Sequence, residues 1–289
     1  MDFKPNELQH KMRSLYIITL LAFCLLLPSC ASQKHANLSY LPQNFINSDD
    51  EPTLNVFVPK DLEGIKKDVL IFVHGGNWEK GNKGLYSFIG RNFAKKGVVT
   101  VIPGYTLSPY ADYDQMTKEI AKSIMWTKDN IEAYGGDPER IFLTGHSAGG
   151  HLIALASMNP EYFEDNSVVK GIILNDSAGL DMDSYLEENP PTNENYYKVT
   201  WTQDEENWKK ASPINYISED TPPMMIYLGT KTTPSIFKYN ELFINKLKTV
   251  QPEAQPILLD KRHTWMVLQY IWPWSKRYPE IIEFMNTTP

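Results

Sequence analysis

The chain has 289 residues, 42% of them hydrophobic, a net charge of −7 and two cysteines. An acidic balance with no basic stripe argues against nucleic acid as a partner and against a grip on anionic lipid headgroups. Both cysteines, Cys24 and Cys30, fall in the first thirty residues, so the rest of the chain carries no disulfide and no thiol chemistry.

At the start, Lys4, Lys11 and Arg13 precede an apolar or hydroxyl-bearing run of 13 residues, Leu15 to Leu27. That run is too short to span a bilayer comfortably and suits a signal segment. Leu27-Pro28-Ser29-Cys30 resembles a bacterial lipobox, although Pro28 is an unusual member of one. The resemblance implies cleavage before Cys30, a diacylglyceryl thioether on its sulfur and export to the cell envelope. An ordinary cleaved signal or an uncut anchor are the alternatives. Two or more acyl chains at Cys30 would anchor stably where one would not. The expected division is a signal over 1–29, a polar tether over 30–50 and one domain over 51–289. Removing residues 1–29 leaves about 260 residues with a net charge of −8, a size that one α/β domain fills, and there is no internal repeat.

Strands are expected at Leu54–Val58, Val69–Val73, Val98–Ile102, Ile141–Thr144, Val168–Leu174, Met224–Leu228 and Pro256–Leu259. Several are apolar on both faces, as buried parallel strands are. Met116, Ile120 and Ile124 fall on one face of a helix that runs to Tyr134 and stops at Gly135-Gly136. Ile236, Tyr239, Phe243, Leu247 and Val250 mark another helix, and Pro279 to Met285 the last. Alternating strands and helices predict a mostly parallel sheet covered on both faces. Residues 175–221 interrupt the alternation. This acidic stretch contains Pro190-Pro191 and is rich in aromatics (Tyr185, Tyr196, Tyr197, Trp201, Trp208), which reads as a small cap over a site. An ordinary long excursion is the alternative.

Two motifs carry chemistry. Gly145-His146-Ser147-Ala148-Gly149 lies between an apolar run and the helix-like run His151 to Ala156. A strand, a sharp turn and a helix in that order push the central serine out at the strand's C-terminal end. Ser147 is therefore the candidate nucleophile. His74-Gly75-Gly76-Asn77-Trp78 follows the run Val69–Val73. A glycine pair at a strand's end lets main-chain N–H groups approach a substrate oxygen that turns negative. Gly75, Gly76, Asn77 and Ala148 are the candidate oxyanion donors, with the pair expected from Gly76 or Asn77 and from Ala148.

These motifs resemble α/β-hydrolases of the hormone-sensitive-lipase and carboxylesterase type, including kynurenine-formamidase-like esterases. Tyr105-Thr106-Leu107-Ser108-Pro109, Tyr134 to Ile141, Gly149-Gly150-His151, Ala211-Ser212-Pro213-Ile214 and Pro222-Pro223 extend the likeness over roughly residues 54–286. The resemblance implies an eight-stranded-type sheet and a serine esterase. No metal or organic cofactor is required.

A serine hydroxyl needs a base, and the base needs an orienting partner. In this fold the chain order is serine, acid, histidine. Of six histidines only His263 lies well beyond Ser147, which makes it the candidate base. His146 and His151 lack a third ligand at metal-binding spacing and read as structural parts of the elbow and the following helix. The acid departs from the pattern. Where the family carries Gly-Thr-x-Asp, this chain reads Gly229-Thr230-Lys231-Thr232. Three explanations stand. A carboxylate after the sixth strand substitutes, with Asp176 best placed, then Asp181 and Asp183. A Ser147–His263 dyad works slowly. Or the fold serves only binding, as a scaffold. Trp265, Trp272 and Trp274, placed after His263, line a substrate pocket or pack a turn. The expected substrate is a small-molecule or glycan-linked ester. The oligomeric state is not legible.

Overall fold

Along the expected strands the side chains sort to two faces. Val69, Ile71 and Val73 join one apolar cluster, while Leu70 and Phe72 join another. A strand buried on both faces must be covered on both, and the helices do this. The computed structural model describes residues 32–42, 51–61, 64–163 and 166–289. The expected signal segment, Cys30 and residues 43–50 lie outside the described residues.

The strands are β1 (Ser32–Ser39), β2 (Thr53–Pro59), β3 (Lys67–Val73), β4 (Val99–Pro103), β5 (Gly136–His146), β6 (Val169–Asn175), β7 (Met224–Gly229) and β8 (Pro256–Leu259). They form one eight-stranded sheet in the order β1-β2-β4-β3-β5-β6-β7-β8. β1–β2 and β2–β4 are antiparallel and every other pair is parallel. The parallel strands therefore present their C-terminal ends to one edge, where open α/β sheets place their sites. The helices are α1 (Ser87–Ala94), α2 (Tyr113–Asn130), α3 (Ala148–Met158), α4 (Met182–Glu188), α5 (Tyr197–Thr200), α6 (Glu205–Lys210), α7 (Pro234–Leu247), α8 (His263–Leu268) and α9 (Arg277–Thr287). Met116, Ile120 and Ile124 of α2, Leu152 of α3 and Phe243 of α7 cover one face of the sheet. Ile89 of α1, Met266 of α8 and Ile281 of α9 cover the other. The start of α2 is fixed by Asp112, whose carboxylate accepts from the Gln115 N–H at 2.8 Å. Beyond Asn130 the chain tightens into a 3-10 turn, Ile131–Tyr134, which stops at Gly135 in the left-handed conformation.

The tether expectation is corrected at its centre. Residues 32–39 are not a loose chain but β1, the edge strand, paired from Ser32↔Pro59 to Ser39↔Thr53. Its polar composition misled because an edge strand with mostly exposed side chains needs backbone partners, not apolar residues. The domain thus begins at Ser32 rather than at residue 51, and residues 32–289 make one compact unit.

Candidate active site

β5 ends at His146 and α3 begins at Ala148, so Ser147 alone reverses the chain. Its φ of 55° and ψ of −124° are costly for a residue with a side chain, on the order of 1–3 kcal/mol. The surrounding packing holds it there. A Cβ on Gly149 would lie 2.1 Å from the Val73 carbonyl oxygen, so only glycine lets α3 sit this close to β3. The Ala178 N–H donates to the Ser147 carbonyl at 3.2 Å and braces the turn from the next strand's exit. Ser147 faces a cavity of about 490 Å³. Being at the head of the 11-residue α3, it also lies at that helix's positive end.

His263 is the first residue of α8, reached by the short loop after β8. Its Nε2 lies 2.9 Å from Ser147 Oγ, and its Nδ1 lies 2.6 Å from Asp176 Oδ2. Asp176 is the first residue beyond β6 and is fully buried, with φ of 51°. A carboxylate out of water must have its lone pairs filled. The Gly229 N–H donates to Oδ1 at 2.8 Å, and the Thr232 hydroxyl donates to Oδ2 at 2.5 Å. The Asp176 N–H in turn donates to the Tyr227 carbonyl at 2.8 Å. Thr232 stands in the loop after β7, where the family pattern has its acid. Here it hydrogen-bonds a carboxylate delivered from the neighbouring strand. Of the other acids weighed, Asp181 caps α4 through the Ser184 N–H and Asp183 accompanies it on that helix.

The loop after β3 brings Gly75 against the nucleophile, since a Cβ there would lie 2.9 Å from that of Ser147. Gly76 and Asn77 line the cavity beside Ser147, and Ala148 follows Ser147 directly. Asn77 and Trp78 both take positive φ, 56° and 59°. The Trp78 indole N–H donates to His151 Nδ1 at 3.2 Å, and His151 Nε2–H donates to the Ala211 carbonyl at 2.8 Å. This network fixes the His151 tautomer.

Three buried histidines surround the site as neutral rings. Burial, with a smaller contribution from the neighbouring His263, lowers His146 to about 3. Its ring stacks on that of His263 at 4.6 Å, and its Nε2–H donates to the His263 carbonyl at 3.1 Å. Burial likewise lowers His74 and His151 to about 4. Neutral rings add no positive charge that would repel an imidazolium forming at His263.

The segment between β6 and β7 walls the cavity through α4 and α5. Tyr185 and Tyr197 line it, together with Met182 and, from α7, Ile236 and Tyr239. The other aromatics of the segment behave differently. Trp201 is fully buried against Trp78, Trp208 is buried in the core, and Tyr196 is exposed. The tryptophans after His263 do not line this cavity. Trp265, Trp272 and Trp274 are exposed, and the last two stack on each other at 5.6 Å. Sequence reasoning missed the Thr232 hydroxyl as a donor and the His146 stack. A hydrogen-bonding residue kept at the vacated acid position was the available signal for the first.

A model of the BD-FAE family matches residues 54–247. Esterase LipC of Mycobacterium tuberculosis is 26% identical over 238 residues, covering 77% of this chain and 59% of that protein. A probable isoprenylcysteine alpha-carbonyl methylesterase of Oryza sativa subsp. japonica is 39% identical over 101 residues, 35% of this chain and 24% of that protein. The chain thus matches less than two thirds of the length of either curated relative. Among solved structures, esterase B from Lactobacillus Rhamnosis superimposes with a TM-score of 0.73 at 20% identity, covering 97% of this chain and 95% of that one. Thermogutta terrifontis esterase 2 phosphonylated by sarin superimposes with a TM-score of 0.70 at 21% identity, over 83% and 92%. The family match runs from β2 through α7, across both glycine motifs. The chain belongs to the BD-FAE family and has the α/β-hydrolase fold.

Proposed function

We propose that this protein is a serine hydrolase that cleaves carboxylic esters through an acyl-enzyme. One observation carries the reading: a hydrogen-bonded line from Ser147 Oγ to His263 Nε2 at 2.9 Å, and from Nδ1 to the buried Asp176 carboxylate at 2.6 Å. Asp176 holds the imidazole with Nδ1 protonated, leaving Nε2 free to accept the serine proton. Ser147 Oγ then bonds to the ester carbonyl carbon, and the carbonyl oxygen becomes negative. The main-chain N–H groups of Gly76 or Asn77 and of Ala148 are the donors for it, helped by the positive end of α3. The tetrahedral intermediate collapses as His263 gives its proton to the leaving alkoxide. Water enters, loses a proton to His263, and attacks the acyl carbon. Collapse then frees the acid and restores Ser147.

The names of the similar proteins, all esterases, support this reading. Thr232 was the residue favouring a non-catalytic scaffold. As a donor to the Asp176 carboxylate it supports catalysis instead. The apolar and phenolic cavity lining suits a small-molecule ester or the ester end of a glycan-linked group. Turnover of a short activated ester tests the proposal. Wild type should be active and Ser147→Ala slower by at least about 10⁴-fold. Equal inertness of the two would defeat it. Export and lipid anchoring at Cys30 complete the proposal. A clickable fatty acid fed to the producing cells should label the wild-type chain and leave Cys30→Ser unlabelled.

A further inference from the structure

The oxyanion turn is strained and yet well placed, and the cap segment supplies contacts to it. Asn77 and Trp78 are consecutive non-glycine residues at positive φ, 56° and 59°. Such a pair persists only where its surroundings hold it. From the cap segment, the Tyr197 hydroxyl on α5 donates to Asn77 Oδ1 at 2.9 Å. One turn on, Thr200 Oγ1 shares a hydrogen bond of 2.6 Å with Ser108 Oγ, and the Ser108 N–H donates to the Trp78 carbonyl at 3.0 Å. Trp201 closes the set, its ring edge-on to that of Trp78 at 4.7 Å. Three successive anchor points on one short segment therefore reach both strained residues.

From this geometry we infer that Tyr197 is a positioning residue for the oxyanion loop, acting through the side chain of Asn77. The inference rests on the serine-hydrolase reading above and extends it to the cap. Tyr197 holds the Asn77 side chain and thereby fixes the plane of the peptide groups that face the developing charge. Preorganised donors gain their effect from not having to move as charge appears, so a loosened turn costs rate rather than binding. The ring of Tyr197 also lines the cavity, so the wall next to the substrate is part of the device that orders the loop. Burial raises the Tyr197 phenol, which stays protonated and remains a donor across the working pH range.

Tyr197→Phe keeps the ring and the cavity wall and removes only the hydroxyl. With a short activated ester, kcat should fall roughly three- to tenfold, the range expected for one neutral hydrogen bond, with KM within twofold. The rate at which a fluorophosphonate modifies Ser147 should fall in parallel. Asn77→Gly keeps the left-handed turn but removes the acceptor. In that background the same hydroxyl deletion should change kcat no further, a coupling that a merely structural role would not produce. The clamp is overturned if Tyr197→Phe leaves kcat unchanged, if it raises KM alone, or if its effect is equal in both backgrounds. Any of these results with a wild type whose turnover needs Ser147 leaves the esterase reading standing. An inert wild type overturns both.

Discussion

Replacing Asp176 by Asn tests the relocated acid. The amide is isosteric, so the fold should survive, but its chemistry at this point is wrong. The His263 Nδ1–H now donates to a carboxylate oxygen at 2.6 Å that also accepts from Thr232 at 2.5 Å. An Asn that turns its NH₂ toward the ring forces the proton onto Nε2, where it can no longer accept from Ser147. Loss of the right tautomer costs about 10⁴-fold in kcat, which corresponds to roughly 5.5 kcal/mol. Thr232 offers a reciprocal experiment. Its side chain already reaches the same oxygen that His263 uses, so Asp176→Asn combined with Thr232→Asp returns a carboxylate from the β7 side. The double variant should regain at least tenfold over Asp176→Asn alone. The assay is steady-state hydrolysis of an activated ester, with a thermal unfolding curve to show that each variant is folded. If folded Asp176→Asn keeps more than a tenth of wild-type kcat, the carboxylate does not orient the base and the reasoning fails.

Three further outcomes follow from the same contacts. Thr232→Val removes one hydrogen bond to a buried carboxylate; kcat should fall roughly tenfold and stability by about 1.5–3 kcal/mol, read by activity and urea unfolding. Trp201→Ala empties a fully buried site under the cap and should cost about 3–5 kcal/mol in urea unfolding; a loss under 1 kcal/mol would mean the cap is not packed there. The buried rings of His74, His146 and His151 hold folded values of about 4, 3 and 4, below the unfolded value near 6.5. The unfolded chain therefore binds more protons below about pH 6.5. Stability should be complete above that pH and fall toward pH 4, by up to about 1.4 kcal/mol per pH unit for each ring. In urea titrations at several pH values, His151→Gln should lower that slope by about one proton; an unchanged slope would contradict the assignment.

Most of the sheet was legible because buried parallel strands are apolar runs: six of the seven expected strands appear within two residues of their predicted bounds, and β5 begins five residues earlier, at Gly136, through a polar stretch with no apolar signature. β1 was not, because an edge strand is held by main-chain bonds that leave no apolar signature. The lid aromatics were legible as a group but not individually. Composition cannot tell Tyr197, which faces the cavity, from Trp201, which faces the core four residues later. Asp176 could be singled out because adjacent parallel strands end at the same edge, which puts the exit of β6 beside that of β7. The distances that tie it to His263 come from the turn at positive φ and the Gly229 N–H, and neither is written in residue spacing. The Thr232 donor is likewise a property of two loops meeting.

Mass analysis of the protein after exposure to a fluorophosphonate asks the central question most directly. Only a serine whose proton the neighbouring imidazole can take attacks phosphorus at a useful rate. One adduct per chain, located on Ser147 and lost in both Ser147→Ala and His263→Ala, is the predicted result. A folded wild-type protein that stays unmodified, or carries the adduct on another residue, would contradict it.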